Sequence, residues 1–249
     1  MKTPKMIIFD YGQTLIKEKD FDPIKGNQAI LDHATVNKYS YTAEDLQIEA
    51  DRINQEVGRF TPERLHLFQV EIPNYMFTSY LYRSMGIELD ISSEEIDKIF
   101  WDAASPGKKT DGVEEFLEFL AQNNIRTAVI SNITYCSKVV KERINDRLPD
   151  NKFEFIIASS DYLFRKPNKR IFDLALEMAQ LSPEDVWYVG DNYKCDVIGS
   201  KNAGMFPVWY VGAAQKPIEI DKDTLTIHHW NELKEYILST DDYLAEKSI

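Results

Sequence analysis

Short apolar segments alternate with amphipathic helical segments along most of this chain, and this alternation restricts its fold more than any other feature. The apolar runs are short and mostly β-branched or aromatic, which is typical of buried parallel strands. They are Met6–Phe9, Thr127–Ile130, Phe155–Ala158, Val186–Val189 and Val208–Val211. Between them, apolar residues recur at helical spacing, for example at Val113, Phe116, Leu117 and Leu120. Strands that alternate with such helices predict an α/β fold built on a doubly wound parallel sheet.

The segment from about Ile16 to Pro106 interrupts this alternation. It contains helix-like, aromatic-rich stretches such as Tyr75–Phe77 and Tyr80–Tyr82, but no convincing buried strand. It returns through residues 105–112, a polar run with proline and glycine of the kind that forms a turn or an interdomain linker. We therefore interpret this segment as a helical insertion.

Two domains follow from that interpretation. Residues 1–17 and 107–249 are predicted to form the α/β core domain, and residues 18–106 a second, smaller helical domain. A weak strand at Leu225–Ile227 and a helix around Trp230–Leu238 are predicted to close one edge of the sheet.

Charge and cysteine content limit the expected partners and location. The chain has 29 Lys and Arg against 41 Asp and Glu, a formal net charge of −12, which disfavours nucleic acid as a partner. A small local anion site remains compatible with this charge. The two cysteines form no metal or disulfide pattern, and the apolar run before Asp10 is too short for a signal peptide or a membrane span. We expect a cytoplasmic protein without a membrane partner, either a monomer or a homodimer.

Polar residues follow the predicted strands or precede a helix at places where a ligand site is expected. They are Asp10 with Thr14 and Leu15, Ser131 with Asn132, Lys166 with Pro167, and Gly190-Asp191 with Asp196. Taken singly, each has a structural explanation, because Asp and Ser often cap helices or form turns and Lys is usually solvated. Ligands of open α/β sheets, however, bind at the carboxyl ends of the strands. We therefore expect an acid, a hydroxyl, a cation and an acidic pair to converge on one edge of the sheet.

In these residues the chain resembles the haloacid dehalogenase superfamily. Its four ordered motifs match Asp10…Thr14-Leu15, Ser131, Lys166-Pro167 and Gly190-Asp191…Asp196. The resemblance covers the chain outside the insertion and implies a mobile helical cap where the insertion lies. It also implies a Mg²⁺-dependent hydrolase, in the first place a phosphatase for a small phosphorylated substrate.

The resemblance assigns roles to the phosphate-handling residues. Asp10 would be the nucleophile that forms an aspartyl-phosphate, and Lys166 would neutralise the charge of the nucleophile and the phosphate. Thr14, Ser131 and the backbone N–H of Asn132 would bind phosphate oxygens.

The resemblance also implies a metal site made of oxygen ligands. Mg²⁺ would be held by the Asp10 carboxylate, the backbone carbonyl of Gly12 and the Asp191 carboxylate. Asp196 is expected to orient the metal shell or Lys166 rather than to bind the ion directly.

Gly12 is the departure from the family pattern. Phosphatases of this family carry an aspartate there, which protonates the leaving alkoxide and then activates water. General acid–base catalysis is worth about 10²–10⁴-fold, so hydrolysis of phosphate esters is expected to be slow unless another group substitutes or the leaving group is good.

Three alternatives to a phosphatase remain open on the sequence. Family members that cleave phosphonates have a small residue at this position and a cap lysine, for which Lys17, Lys19, Lys25 and Lys38 are candidates, although all four are readily explained as surface lysines. A metal-free dehalogenase fits less well, because it has no use for the acidic Gly190-Asp191 motif. The third alternative is a module that binds a phosphorylated ligand without turnover.

Overall fold

Parallel strands form the central sheet of the computed structural model, which describes residues 2–18, 21–58, 69–213 and 224–240. The sheet consists of β1 (Met6–Phe9), β6 (Arg126–Ser131), β7 (Phe153–Ala158), β8 (Val186–Gly190), β9 (Phe206–Tyr210) and β10 (Leu225–Ile227). The strand order is β10-β9-β8-β1-β6-β7, and all neighbouring pairs are parallel. β1 is therefore central and fully buried, which explains its uninterrupted apolar sequence.

Helices cover both faces of this sheet. They are α5 (Val113–Gln122), α6 (Ser137–Arg147), α7 (Ser159–Tyr162), α8 (Lys169–Ala179), α9 (Gly199–Asn202) and α10 (Trp230–Leu238). Alternate residues of β1 point to opposite faces: Ile7 and Phe9 pack in one cluster with Trp230, whereas Met6 and Ile8 pack in another with Phe172. Within the described ranges, no helix is both long and apolar enough to cross a membrane.

The predicted α/β fold with a doubly wound sheet is confirmed, and the differences concern strand ends. The strand predicted at Val208–Val211 begins earlier, at Phe206, and includes Pro207, which pairs with Tyr188. Phe206 and Pro207 are only partly buried, so the apolar pattern underestimates the strand there. The weak strand and helix predicted in the tail form as β10 and α10 at the edge of the sheet.

The described part of the insertion contains four helices and also a small sheet. Its elements are α1 (Pro23–Leu31), β3 (Ala34–Asn37), α2 (Ala43–Glu56), α3 (Asn74–Ser84), β4 (Ile87–Leu89) and α4 (Ser93–Ala104). The interpretation of the insertion as helical therefore omitted the antiparallel pair β3–β4. β3 is partly exposed along its whole length, and so it lacks the apolar run that marks a buried strand. Ile30, Leu46 and Leu81 belong to a separate hydrophobic cluster formed by residues of the insertion. The division into two domains stays a prediction.

Two short strands mark the passages of the chain between the sheet and the insertion. β2 (Ile16–Lys17) leaves toward the insertion, and β5 (Lys108–Lys109) returns from it. The two strands pair in antiparallel fashion, Ile16 with Lys109 and Lys17 with Lys108. The polar run at 105–112, predicted to be a turn or a linker, thus contributes one strand of a ribbon.

Asp97, on α4, gives the stability of the insertion a pH dependence that can be measured. Its side chain is buried, and burial raises its pKa to about 7, although the amide of Asn74 donates a 2.6 Å hydrogen bond to it. The folded-state pKa thus exceeds the unfolded value of about 4. The folded protein binds the extra proton between these two values, so this group's contribution to the unfolding free energy falls as pH rises from about 4 to about 7.

We expect Asp97→Asn to remove this dependence. One pKa unit corresponds to about 1.4 kcal/mol, so the variant should exceed the wild type in unfolding free energy by up to a few kcal/mol near pH 8. The difference should shrink steadily toward about pH 4. Urea unfolding of both proteins across this range measures it, and a difference that does not vary with pH would contradict the assignment.

Candidate active site

The carboxyl ends of three adjacent strands carry the polar residues singled out in the sequence. Asp10 directly follows β1, Ser131 is the last residue of β6, and Asp191 directly follows β8. Because β1 lies between β6 and β8, these residues come together at one edge of the sheet. The convergence expected from the sequence is thus present in the structure.

Lys166 is the centre of this group. Its ammonium Nζ donates hydrogen bonds to Asp10 Oδ1 and Asp196 Oδ1, both at 2.6 Å, and to the Tyr188 hydroxyl at 2.8 Å. Only 3% of the residue is exposed. Burial alone would lower the pKa of Lys166, but the carboxylates of Asp10 and Asp196 outweigh this effect and raise it well above the ordinary value. Lys166 is therefore a permanently charged group in contact with Asp10.

Three carboxylates surround this single ammonium group. Asp10, Asp191 and Asp196 each place an oxygen within 4.8 Å of the others. Burial raises the pKa of Asp10, the charges of Asp196 and Asp191 raise it further, and Lys166 opposes them. Burial and the charge of Asp196 likewise raise the pKa of Asp191 to about 6. The excess of negative charge and the oxygen donors fit a divalent cation such as Mg²⁺.

The contacts of Asp196 differ from those of the other two carboxylates. Its Oδ1 accepts from Lys166, and its Oδ2 accepts from the backbone N–H of Asn192 at 2.9 Å. Both oxygens are thus engaged by protein donors at the start of the π-helical turn Tyr193–Ile198. This arrangement is consistent with the predicted supporting role of Asp196, and it leaves Asp10 and Asp191 as the carboxylates better suited to bind an ion.

Position 190 requires glycine for a steric reason. A Cβ at position 190 would lie closer to the Asp196 carboxylate than side-chain carbons normally approach. We expect Gly190→Ala to displace Asp196 and to lower the unfolding free energy by about 1–3 kcal/mol, the usual cost of overpacking. Urea unfolding measures the change. An unaltered unfolding midpoint would show that Asp196 can shift without loss.

The predicted phosphate-binding residues differ in whether their side-chain polar groups already have partners in the protein. The Thr14 hydroxyl is buried and has no hydrogen-bond partner among the described residues, and Ser131 is buried at the end of β6. The Asn132 side chain, in contrast, is already used: Nδ2 donates to the Lys166 carbonyl at 2.8 Å, and Oδ1 accepts from the Lys166 N–H at 2.7 Å. Asn132 thereby fixes the backbone that carries the lysine. The expected phosphate contact of its own N–H stays a prediction.

Sequence reasoning missed Tyr188. This residue belongs to an apolar strand and was indistinguishable there from a packing residue. Its hydroxyl accepts from Lys166 and lies 3.2 Å from the Ile130 carbonyl oxygen, which also accepts from Lys166. A buried tyrosine hydroxyl generally needs a polar partner, and this was the only signal that could have revealed it.

Sequence reasoning also missed a tether between the insertion and the loop that precedes Lys166. We define the tether as residues 69–72 and their contacts with residues 163–165. The N–H of Glu71 donates to the Leu163 carbonyl at 2.7 Å, and the N–H of Arg165 donates to the Gln69 carbonyl at 2.9 Å. The buried Glu71 carboxylate accepts from Arg165 Nη1 at 3.1 Å and from the Ser159 hydroxyl at 2.8 Å.

A cleft of about 820 Å³ lies between the insertion and the loop after β6. Glu18, Trp101, Asn132, Tyr135 and Arg165 are among the residues that line it. Its walls thus combine aromatic surface with a few polar groups, as small-molecule sites commonly do.

The candidate lysines of the insertion do not line this cleft as far as the structure describes them. Lys25 pairs with Asp22 on the surface, Lys38 lies over the ring of Tyr39, and Lys17 pairs through its backbone in β2. Lys19 falls outside the described residues. Within these limits the cleft offers no lysine of the insertion to a substrate.

Comparison with known proteins gives a family and a fold. The family model for haloacid dehalogenase-like hydrolases matches residues 4–204. Haloacid dehalogenase-like hydrolase domain-containing protein 3 of Bos taurus is 27% identical over 155 residues, which are 61% of this chain and 60% of that protein. Pyrimidine 5'-nucleotidase YjjG of Escherichia coli is 26% identical over 240 residues, 93% of this chain and 96% of that protein.

Among solved structures, the chain resembles a 2-haloacid dehalogenase from Pseudomonas syringae. The TM-score is 0.62 at 20% identity, and the match covers 95% of this chain and 98% of that one. At this level of identity the likeness concerns the fold alone.

Proposed function

Since this chain belongs to the haloacid dehalogenase-like hydrolase family, we propose that it is a Mg²⁺-dependent phosphatase that hydrolyses a small phosphorylated metabolite through Asp10. The observation that carries this proposal is the cluster of three carboxylates around Lys166, with Asp10 in direct contact with the ammonium group. Such a cluster suits phosphoryl transfer, in which charge stabilisation and positioning provide most of the catalysis.

In the first step, the formation of the aspartyl-phosphate, each residue of the site has its own role. A carboxylate oxygen of Asp10 attacks phosphorus, and the bond from phosphorus to the leaving oxygen breaks, which gives an aspartyl-phosphate. Lys166 neutralises charge on Asp10 and on the transferred group. The unpartnered Thr14 hydroxyl, Ser131 and the Asn132 N–H hold phosphate oxygens.

The proposed Mg²⁺ ligands are the carboxylates of Asp10 and Asp191 and the backbone carbonyl of Gly12. Bound there, the ion would supply positive charge to the nucleophile and the phosphate oxygens. Asp196 holds Lys166 in place through its 2.6 Å hydrogen bond and leaves the other two carboxylates to the ion.

The rival functions are less well supported. A metal-free dehalogenase does not need three clustered carboxylates. A phosphonate-cleaving enzyme of this family would need a lysine from the insertion, and none of the described ones lines the cleft. A binding module without turnover remains the rival that Gly12 favours.

Phosphate release from p-nitrophenyl phosphate, with Mg²⁺ and with a chelator, tests the proposal. We expect release only with Mg²⁺. A panel of small phosphorylated metabolites should then define the substrate, and it should include pyrimidine nucleoside monophosphates because one relative is a pyrimidine nucleotidase. Halide release from 2-chloropropionate would support a dehalogenase instead. Phosphate-ligand binding by calorimetry without any hydrolysis would support a binding module.

A further inference from the structure

The carboxylate of Glu18 lies next to Gly12, on the side where a side chain at position 12 would point. If Gly12 carried a Cβ, Glu18 Oε2 would lie 4.0 Å from it. Apart from the adjoining residues Tyr11 and Gln13, no other described residue has a heavy atom within 4 Å of that point. An aspartate's own oxygens would lie roughly 2.4 Å from the same Cβ. Glu18 Oε2 is therefore in the immediate surroundings of the space that an aspartate carboxylate would fill.

Several contacts fix the orientation of Glu18. Trp101 Nε1 donates to Glu18 Oε1 at 2.8 Å, and Arg143 Nη2 donates to the same oxygen at 3.3 Å. The Gln13 side chain donates to the Glu18 backbone carbonyl at 2.8 Å. Since both side-chain donors use Oε1, Oε2 accepts no hydrogen bond within the described part of the chain. It is the oxygen that lies beside Gly12.

Arg143 makes this orientation rigid. Its side chain is fully buried, donates to the Ser105 carbonyl at 2.7 Å, forms an ion pair with Asp102, and stacks 3.9 Å from the Trp101 ring. Arg143 and Trp101 therefore hold each other and Glu18 Oε1 at the same time. A guanidinium group with so many fixed partners loses little further freedom when it holds a carboxylate.

The surroundings of Glu18 suit proton transfer. The side chain is 24% exposed and lines the cleft together with Asn132 and Arg165, so it is accessible from the cleft. Burial raises the pKa of Glu18, although the charge of Arg143 and the hydrogen bond from Trp101 oppose this effect.

We propose that Glu18 is the general acid and base of this enzyme and takes the role that an aspartate at position 12 has in related phosphatases. The proposal rests on the proposed phosphatase function. When Asp10 attacks phosphorus, Glu18 Oε2 gives its proton to the departing alkoxide, which leaves as an alcohol. Glu18 then takes a proton from water while the water oxygen attacks the aspartyl-phosphate. The bond from phosphorus to Asp10 breaks, phosphate leaves, and Glu18 is again protonated.

Glu18→Gln separates proton transfer from structure, because glutamine keeps an Oε1 acceptor for Trp101 and Arg143. With β-glycerol phosphate, whose leaving group needs a proton, we expect turnover to fall about 10²–10⁴-fold. p-Nitrophenolate leaves without such help, so the variant should release about one equivalent per enzyme rapidly and then turn over slowly. This burst reflects an aspartyl-phosphate that waits for a base. A merely structural defect would slow both steps and give no burst.

A second variant tests the position directly. Gly12→Asp in the Glu18→Gln protein restores a carboxylate at the vacant place, and Gly12 is not among the positive-φ glycines, so aspartate fits its backbone. We expect this double variant to recover at least about tenfold in β-glycerol phosphate turnover.

The role of Glu18 can fail without the proposed phosphatase function failing, and a control variant helps to tell the two apart. Glu49→Gln removes a glutamate of similar exposure, 21% for its side chain, that pairs with Arg52, and it should leave turnover unchanged. If Glu18→Gln does not fold, Glu18→Asp keeps the charge but withdraws the oxygen, and the same fall and burst are expected. Two results would overturn the role of Glu18 alone. In the first, hydrolysis depends on Mg²⁺ and Asp10 but is unchanged in the Glu18 variants. In the second, hydrolysis by the Glu18→Gln protein is slowed without a burst and is not rescued by Gly12→Asp. A wild-type protein that hydrolyses no phosphate ester would overturn the phosphatase function and this role together.

Discussion

Replacing Asp10 by Asn is expected to lower the rate of phosphate release by about 10⁴-fold or more, as removal of a covalent nucleophile commonly does. Asparagine keeps an oxygen that can accept from Lys166, so the fold and the lysine position should be preserved. It has no carboxylate to attack phosphorus. Steady-state release from p-nitrophenyl phosphate at saturating Mg²⁺ measures the loss.

Two further measurements sharpen this test. Asp173→Asn, an exposed change on α8 that breaks the surface pair with Lys169, is the matched control and should keep wild-type turnover. The wild type, quenched during turnover, should carry a phosphoryl group that hydroxylamine removes, whereas the Asp10→Asn protein should not. Substantial Mg²⁺-dependent turnover in a folded Asp10→Asn protein would assign the attack to another residue or to water.

Replacing Lys166 by Met is expected to lower the unfolding free energy by about 3–5 kcal/mol, because it leaves buried carboxylates without their cation. Asp10 and Asp196 both bond to this ammonium group, and both are buried. Methionine has a similar length but neither charge nor donor. Urea unfolding in the presence of a chelator measures the change without help from a bound ion.

Lys169→Met provides the comparison for this variant. Lys169 is also a lysine that pairs with an aspartate, but both side chains of that pair are largely exposed. Exposed pairs contribute about 0–1 kcal/mol, so the control should be nearly as stable as the wild type. Equal stability of the two variants would mean that the carboxylates around residue 166 relax or take up protons at little cost.

Much of the fold and several positions of the site could be predicted because they depend on local pattern. Apolar runs of strand length identified the sheet, and the rule that ligands gather at strand ends brought Asp10, Ser131 and Asp191 to one edge. β3 and β4 were missed since they are short and partly exposed. The tether was missed because it joins residues 69–72 to residues 163–165, far apart in sequence, and its two backbone hydrogen bonds carry no sequence signal.

Glu18 shows most clearly what sequence pattern leaves out. From the sequence alone, Gly12 indicates that the general acid is absent, and an aspartate there would be expected to speed the hydrolysis of phosphate esters. The structure brings the Glu18 carboxylate next to that place from six positions further on, through a turn in which Gln13 has a φ of 54°. Spacing along an extended segment cannot reveal such a return, because the direction of the chain changes within the turn.

The tether bears on how a substrate can enter. Any movement that separates residues 69–72 from residues 163–165 must break two backbone hydrogen bonds and remove the Glu71 carboxylate from both Arg165 and Ser159. We therefore expect an open conformation of this kind to be a minor population of the free protein. For a ligand that binds only the open form, the apparent dissociation constant equals the intrinsic one divided by the open fraction. Weakening the tether would then tighten apparent binding by raising the open fraction alone.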